Sequence, residues 1–412
     1  MVAGAGTSPV DATILITFLF VYAGMMLGRI PGLALDRTGI ALLGAIVLLA
    51  LGRLTPAAAW ASVDAPTMVL LFGLMVVSAQ FRLAGVYAAI ARRVTDAAVG
   101  PAALLALLIV VAGGLSAVLA NDIVCLAMAP IVIASCIGRR LDPRPFLLAL
   151  AAAANVGSAA TLIGNPQNML IGQVLQLSFA GYLRAAAVPA LLGLAVVWLV
   201  LYRQQAGAWH TDLPAVAVAA PPLDGGQAAK GVATLAALMA VFLFTTWPRD
   251  VAALAAAGVL LLSRRLASRA MLALVDWPLL ILFIALFMVN HALAQSGALA
   301  AIQGGLAAAG VDLQQPGWLF AVTVILSNLV SNVPAVMLLL PSAQTPIAGP
   351  LLALASTLAG NLILVGSIAN LIVVDQAAHL GVHISWREHA RAGIPITILT
   401  LAIAAIWLWL RA

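Results

Sequence analysis

The sequence predicts an all-α integral membrane protein of about ten transmembrane helices plus two re-entrant hairpins in an inverted repeat. Three observations predict it. Of 412 residues, 64% are hydrophobic and only 8% are charged, where a soluble domain carries roughly 25% charge. So few charges cannot cover a soluble protein of this size, which excludes a purely soluble enzyme and a disordered chain. The apolar residues run continuously instead of alternating, which argues for helices over a transmembrane barrel. Finally, the order of apolar run lengths in the first half recurs in the second.

The first half has apolar spans at 12–28, 38–52, 66–83, 101–137, 146–176 and 180–202. Ile14–Leu27 follows Asp11 instead of a basic segment and has no small-residue cleavage site after it. It reads as the first membrane helix, not a cleaved signal. The weakly apolar piece 84–94 reads as a helix lying at the interface. A Pro-, Gly- and Ala-rich stretch, 203–229, is the expected linker. The second half follows with 231–247, 250–263, 274–294, 315–341, 348–378 and 392–410, and a second interfacial piece at 295–308. Trp247, Trp277, Trp318 and Trp386 sit near span ends as interfacial anchors. The expected organisation is a first membrane repeat, 1–202, with hairpin 101–137 and broken helix 146–176. The linker 203–229 leads to a second, inverted repeat, 230–412, with hairpin 315–341 and broken helix 348–378.

Matched residues carry the repeat. In "LANDIVCLAMAP" (119–130) and "VSNVPAVMLLLP" (330–341), Asn121 aligns with Asn332 and Pro130 with Pro341. In "GNPQNMLI" (164–171) and "GSIANLIV" (366–373), Gly164 aligns with Gly366 and Asn168 with Asn370. Paired interruptions of apolar runs in two halves of a membrane chain point to a transport site. The charges set the topology. With 101–137 and 315–341 as hairpins, only Arg53, Arg184, Arg249 and Arg411 of the 19 Lys and Arg fall outside, and the linker is cytoplasmic. If those spans crossed instead, Arg139, Arg140 and Arg144 would move to the poorer side, against the positive-inside rule.

Hydrocarbon cannot satisfy broken helix ends, so the interruptions should converge on a buried polar or water-filled site. Helix N-termini there offer N–H groups to an anion, and carbonyl, Asn or Ser oxygens can hold Na⁺. Pro166 and Pro334 keep a helix from running through. The plainer reading is that small and polar residues only mediate helix packing; four motifs paired by a repeat weigh against it. Asp122 stands at the centre of a long span, where an ionised carboxylate costs several kcal/mol. It is the expected ion-coupling residue, the alternative being a cap on the following helix. Asp375 lies nearer a span end and reads as solvated. No Lys or Arg falls near the centre of a span, so a substrate anion would be neutralised by helix dipoles and a co-bound cation. An undissociated weak acid fits as well. Cys125 reads as a small buried residue, and His379 and His383 as part of a solvated loop. No HExxH, GxSxG or GxxxxGK[ST] sequence occurs, so an ATP-driven pump or membrane hydrolase is disfavoured. No catalytic residue, metal site or cofactor is expected beyond Na⁺ or H⁺ as coupling ion, and no nucleic-acid partner.

The segments "LANDIVCLAMAPIVI" (119–133), "GSAATLIGNPQNMLIG" (157–172), "SNVPAV" (331–336) and "STLAGNLILVGSIANLIV" (356–373) resemble signatures of the ion transporter superfamily. That group holds arsenite permeases, NhaD-type antiporters, and citrate and dicarboxylate transporters. The resemblance covers nearly the whole chain. It implies an inverted-repeat scaffold, a homodimer, and elevator-type or rocking alternating access. It also implies substrate held at the hairpin tips by Asn121, Ser331 and Asn332. Thr161, Gly164, Asn165, Asn168, Gly366, Ser367 and Asn370 would line the unwound breaks. Dicarboxylate symporters carry Ser-Asn-Thr at both tips; here the tips read Ala-Asn-Asp and Ser-Asn-Val. The expected function is secondary active transport of a small organic or inorganic anion or weak acid, coupled to H⁺ or Na⁺, in the inner (plasma) membrane among lipid. Arsenite or antimonite efflux and Na⁺/H⁺ antiport are the alternatives. A channel would show a ring of identical filter segments, which two unequal halves do not provide.

Overall fold

A computed structural model describes residues 11–411 except 29, 31, 206, 208, 212, 215–217 and 219–220. Positions 1–10 of the expected first repeat, and part of the expected linker, lie outside the described residues. The first half comprises α1 (Ala12–Leu27), α2 (Arg37–Ala50), α3 (Pro56–Ser62), α4 (Ala65–Leu83), α5 (Val86–Thr95), α6 (Pro101–Val118), α7 (Asn121–Gly138), α8 (Pro143–Ser158), α9 (Pro166–Val174) and α10 (Phe179–Gln204). The second comprises α11 (Gly225–Phe244), α12 (Arg249–Leu261), α13 (Ser268–Leu272), α14 (Trp277–Gln295), α15 (Ala298–Ala308), α16 (Pro316–Val330), α17 (Asn332–Leu339), α18 (Ala348–Ala359), α19 (Ile368–His379) and α20 (Trp386–Trp409). Among the described residues there is no strand, and seven helices are long and apolar enough to cross a membrane: α4, α6, α7, α10, α11, α14 and α20. The short helices α3 and α13 are unannounced by hydropathy.

Short polar residues start these helices. Asp11, Asp36, Asp64, Asp142, Asp224 and Asp276 each accept a hydrogen bond from a backbone N–H in the first turn, satisfying donors that a helix start leaves free. Much of the chain's scarce acidity is therefore used as caps. Asp122 is different: it lies in the first turn of α7, which has no side-chain cap bond at all.

The elements of the two halves correspond. The buried positions of α2 are Ile40, Ala41, Gly44, Ala45 and Leu48; those of α12 are Ala252, Ala253, Ala256, Ala257 and Leu260, in the same spacing. Gly85 and Gly297 start α5 and α15 with φ of 72° and 75°, a left-handed turn that glycine adopts without penalty. Packing partners are exchanged. α4 packs on α12 and α2 on α14; α7 packs on α19 and α17 on α9; α6 packs on α8 and α16 on α18.

Two helical hairpins and two broken helices fill the middle. The Arg139 guanidinium donates to the carbonyls of Thr95 (2.7 Å), Ala97 (3.0 Å) and Val99 (2.7 Å), so α7 ends where α6 begins. The end of the molecule so marked also gathers Asp142 N–H on Trp209 O (2.8 Å) and the Arg144–Glu388 ion pair (2.7 Å). At the opposite end Arg249 reaches Gly172 O (2.6 Å), and Thr345 and Pro346 share a cavity with Leu177 and Arg411.

Boundaries differ from expectation in one respect. The first tip is Leu119–Ala120 and the second Ser331, so Asn121, Asp122 and Asn332 open α7 and α17 instead of forming the turns. The chain unwinds over 159–165 and 360–367, interrupted by a 3₁₀ turn at Leu364–Gly366. Asn168 and Asn370 accordingly sit in the first turns of α9 and α19, not in the breaks. Pro166 starts α9 at a position where its missing N–H costs nothing.

Candidate functional site at the helix breaks

Each break is shaped by its own asparagine. Asn168 Nδ2 donates back to the carbonyls of Ser158 (3.3 Å) and Thr161 (2.9 Å). Asn370 Nδ2 donates to the mates of those groups, the carbonyls of Gly360 (2.9 Å) and Ile363 (3.4 Å). Both side chains take up carbonyls that an unwinding helix leaves free. The next helix is then capped: Asn165 Oδ1 accepts from Asn168 N–H (2.9 Å), and Ser367 Oγ from Ala369 N–H (3.2 Å).

Two further side chains join the halves. Asn155 Nδ2 donates to Asn361 Oδ1 (2.8 Å) and Asn370 Oδ1 (3.3 Å), and Asn155 Oδ1 accepts from Ser367 Oγ (2.9 Å). Thr357, at the position in α18 corresponding to Asn155 in α8, does the reverse. Its Oγ1 accepts from Asn165 Nδ2 (3.2 Å) and Gln167 Nε2 (3.1 Å) and lies 3.4 Å from Asn168 Oδ1. Each half therefore reaches into the other half's break.

The tips close on this network. Asn121 donates its N–H to Gly164 O (3.2 Å) and its Nδ2 to Asn155 Oδ1 (3.3 Å), and Thr161 Oγ1 donates to Ala117 O. A Cβ on Gly164 would stand 2.3 Å from Ser158 O and 2.7 Å from Ser116 O, so no other residue fits there. In the second half, a Cβ on Gly360 would stand 3.2 Å from Asn332 Nδ2, and one on Gly366 3.1 Å from Asn328 Oδ1. Ser331 holds φ 77° and ψ 159°, a conformation that strains any residue but glycine. Asn121, Gly164, Asn332 and Gly366 thus meet in one buried cluster.

The expected residues divide by how fully they are used. Thr161, Asn165, Asn168, Ser367 and Asn370 are engaged in holding the breaks. Among the described residues fourteen side-chain atoms are buried without a hydrogen-bond partner, and six of them lie on the hairpin helices and the second break: Asn121 Oδ1, Asn328 Oδ1, Asn332 Oδ1, Asn361 Nδ2, Ser116 Oγ and Ser327 Oγ. Three of the six are carbonyl oxygens, a donor set suited to a hard cation. Asp122 is half-buried and makes no side-chain hydrogen bond or ion pair among the described residues. Asn155, Thr357, Asn361, Asn328, Ser158 and Gln167 were not singled out from sequence. Asn155 had a signal, since it stands alone in the apolar run "LALAAAANVG".

Cys125 is buried, and His379 is exposed with its Nδ1 2.8 Å from Asp375 O. Among the described residues no group of three or more His, Cys, Asp or Glu could hold a metal.

Comparison with known proteins gives these elements a family. The citrate transporter family matches residues 18–359. An uncharacterised transporter of Mycobacterium tuberculosis is 29% identical over 91% of this chain and 94% of its own length. A silicon efflux transporter of Oryza sativa subsp. japonica is 29% identical over 91% and 92%. Inner membrane protein YbiR of Escherichia coli is 32% identical over 80% and 84%. The chain is thus a multi-pass integral membrane protein of the plasma membrane, a transporter and not an enzyme, and it belongs to the citrate transporter family within the ion transporter superfamily.

Proposed function

We propose that the protein is a secondary active carrier of a small anion or weak acid, coupled to H⁺ or Na⁺ through Asp122. The reading rests above all on the buried polar cluster that both halves build jointly, in which oxygens stay unpartnered while Asn155 and Thr357 lock the breaks together. Leaving buried polar atoms unpaired costs roughly 1–3 kcal/mol each, so a fold that keeps several together is arranged for something that binds there. The halves are inverted repeats. The Arg139 end is cytoplasmic, because it holds Arg82, Arg92, Arg93, Arg139, Arg140 and Arg144. The α6–α7 hairpin is re-entrant: its tip lies level with Asn155, and α9 continues for 9 residues beyond the break, about 14 Å at 1.5 Å per residue.

The carboxylate of Asp122 and the oxygens of Asn121, Asn332 and Ser331 hold the coupling ion, and the N-terminal turns of α7, α9, α17 and α19 face the substrate. The test is flux in proteoliposomes. Asp122→Asn should abolish accumulation driven by a pH or Na⁺ gradient while the melting temperature stays within a few degrees of the parent. Unchanged gradient dependence removes Asp122 from the mechanism.

A second reading, export of a neutral weak acid such as an undissociated metalloid acid, is favoured by two observations. No Lys or Arg side chain hydrogen-bonds into the cluster among the described residues, and a relative spanning nearly the whole chain is named a silicon efflux transporter. Flux that follows the undissociated fraction as pH is varied supports this reading; flux that follows the anion supports the first.

A further inference from the structure

The two halves correspond in their helices but not in how the central elements touch the outer ones. At the Arg249 end α9 packs on α4, α17 on α14 and α16 on α1. The mates of these contacts would be α19 on α14, α7 on α4 and α6 on α11, and among the described residues they are at most marginal. Cavities occur at both ends, one of about 300 Å³ lined by Arg82, Tyr87, Ala127, Pro130, Pro221 and Gln376 at the Arg139 end and one of about 550 Å³ beside Gln173, Trp247 and Arg249 at the other. What differs is the packing: among the described residues the central elements are bound to the outer helices at the Arg249 end and not at the Arg139 end.

A guanidinium on an outer helix ties down α9 at the packed end. Arg249, the first residue of α12, donates Nη2 to Gly172 O in α9 at 2.6 Å. A separate contact ties α17: the Tyr22 hydroxyl of α1 is 2.9 Å from Asn290 Oδ1 of α14 and 3.3 Å from Pro334 O of α17. The matched burial of α2 and α12 makes Arg37, the first residue of α2, the mate of Arg249. Arg37 is half-buried and turned onto its own neighbour, with Nε on Met25 O at 3.2 Å. The mate of Gly172 is Val374, which follows Asn370 in α19 as Gly172 follows Asn168 in α9.

We propose that Arg249 and Arg37 are mated latches. Arg249 on the Gly172 carbonyl holds the outer end shut, and Arg37 leaves Met25 for the Val374 carbonyl when the cytoplasmic end closes. The inference rests on the carrier reading. It requires no particular substrate or coupling ion, because each latch is a side chain donating to a backbone carbonyl.

The test is sided labelling in oriented proteoliposomes with a membrane-impermeant maleimide. Cys125 and Cys136, both free and buried, are first replaced by alanine. Reporters are then placed singly as Ala127→Cys, in the cytoplasmic cavity, and Met337→Cys, buried in α17 at the outer end. Arg249→Ala should lower labelling at position 127 and raise it at 337, changing their ratio roughly ten- to a hundredfold, the range one charge-assisted hydrogen bond allows. Arg37→Ala should shift the ratio the other way, and the double variant should return towards the parent. Arg249→Lys, which keeps a donor, should lie between parent and alanine. If Arg249→Ala lowers the melting temperature but leaves the ratio unchanged, Arg249 only caps α9 and the latch is wrong. Reporters that respond to Na⁺ or H⁺ but not to either arginine sink the latch and spare the carrier. Labelling of both reporters from both sides, whatever the substitution, overturns both.

Discussion

Asn155 and Asp122 differ in the fate of their polar atoms. Asn155 is fully bonded, and its four partners lie on the first tip, the second break and the start of α19. Asn155→Ala would orphan Asn370 Oδ1 and Asn361 Oδ1 in an interior that offers no substitute. At roughly 1–3 kcal/mol for each orphaned group, the loss should be about 2–6 kcal/mol, read as a lowered melting temperature in detergent. Asp122 is the reverse case. Since nothing in the fold uses its carboxylate, Asp122→Asn should leave stability nearly unchanged and remove coupling. If the two substitutions destabilise equally, the division between holding and working residues is wrong.

Among elements, the closest approach in the first half is α6 against α8. A Cβ on Gly157 would lie 2.2 Å from Gly113 O and 2.4 Å from Gly113 Cα, both backbone atoms that cannot step aside. Gly157→Ala should therefore force the helices apart and cost about 1–3 kcal/mol or more. Gly114, one residue further along α6, has nothing within 4 Å of its ideal Cβ. Gly114→Ala should be neutral or stabilising by up to about 1 kcal/mol. Thermal melts of the two variants side by side check the pair; equal effects would refute the packing argument. The helix spans were legible because runs of apolar residues end at Asp, Ser or Pro caps. The first hairpin tip falls a residue or two before the expected Asn121–Asp122 and the second at Ser331, because Asn121 and Asn332 start α7 and α17 and the turns precede them.

For the whole molecule, the cross-half bonds of Asn155 and Thr357 place both helix breaks at one joint between halves. A ligand seated there touches both halves, so it should stabilise the native state as a whole. At a hundred times its Kd a ligand adds about 2.7 kcal/mol. A thermal-shift series with Na⁺, Li⁺, oxyanions and dicarboxylates should show a rise with the coupling ion, lost in Asp122→Asn. No rise with any of them would argue against a cation seat at the joint.

Composition and internal matching sufficed for the membrane class, the repeat, and the pairing of Asn121 with Asn332 and Gly164 with Gly366. Polar residues and glycines are expensive inside apolar spans, so their recurrence at matched places is visible without coordinates. The bridging pair Asn155 and Thr357 was invisible to that comparison, because the mates are different residue types that serve one purpose by contacting the opposite half. Which polar atoms are already bonded, and where the central helices pack on the outer ones, depends on distances between segments far apart in the chain. Only the tertiary packing decides those, since a hydrogen bond is satisfied or left open by position in space and not by order along the backbone.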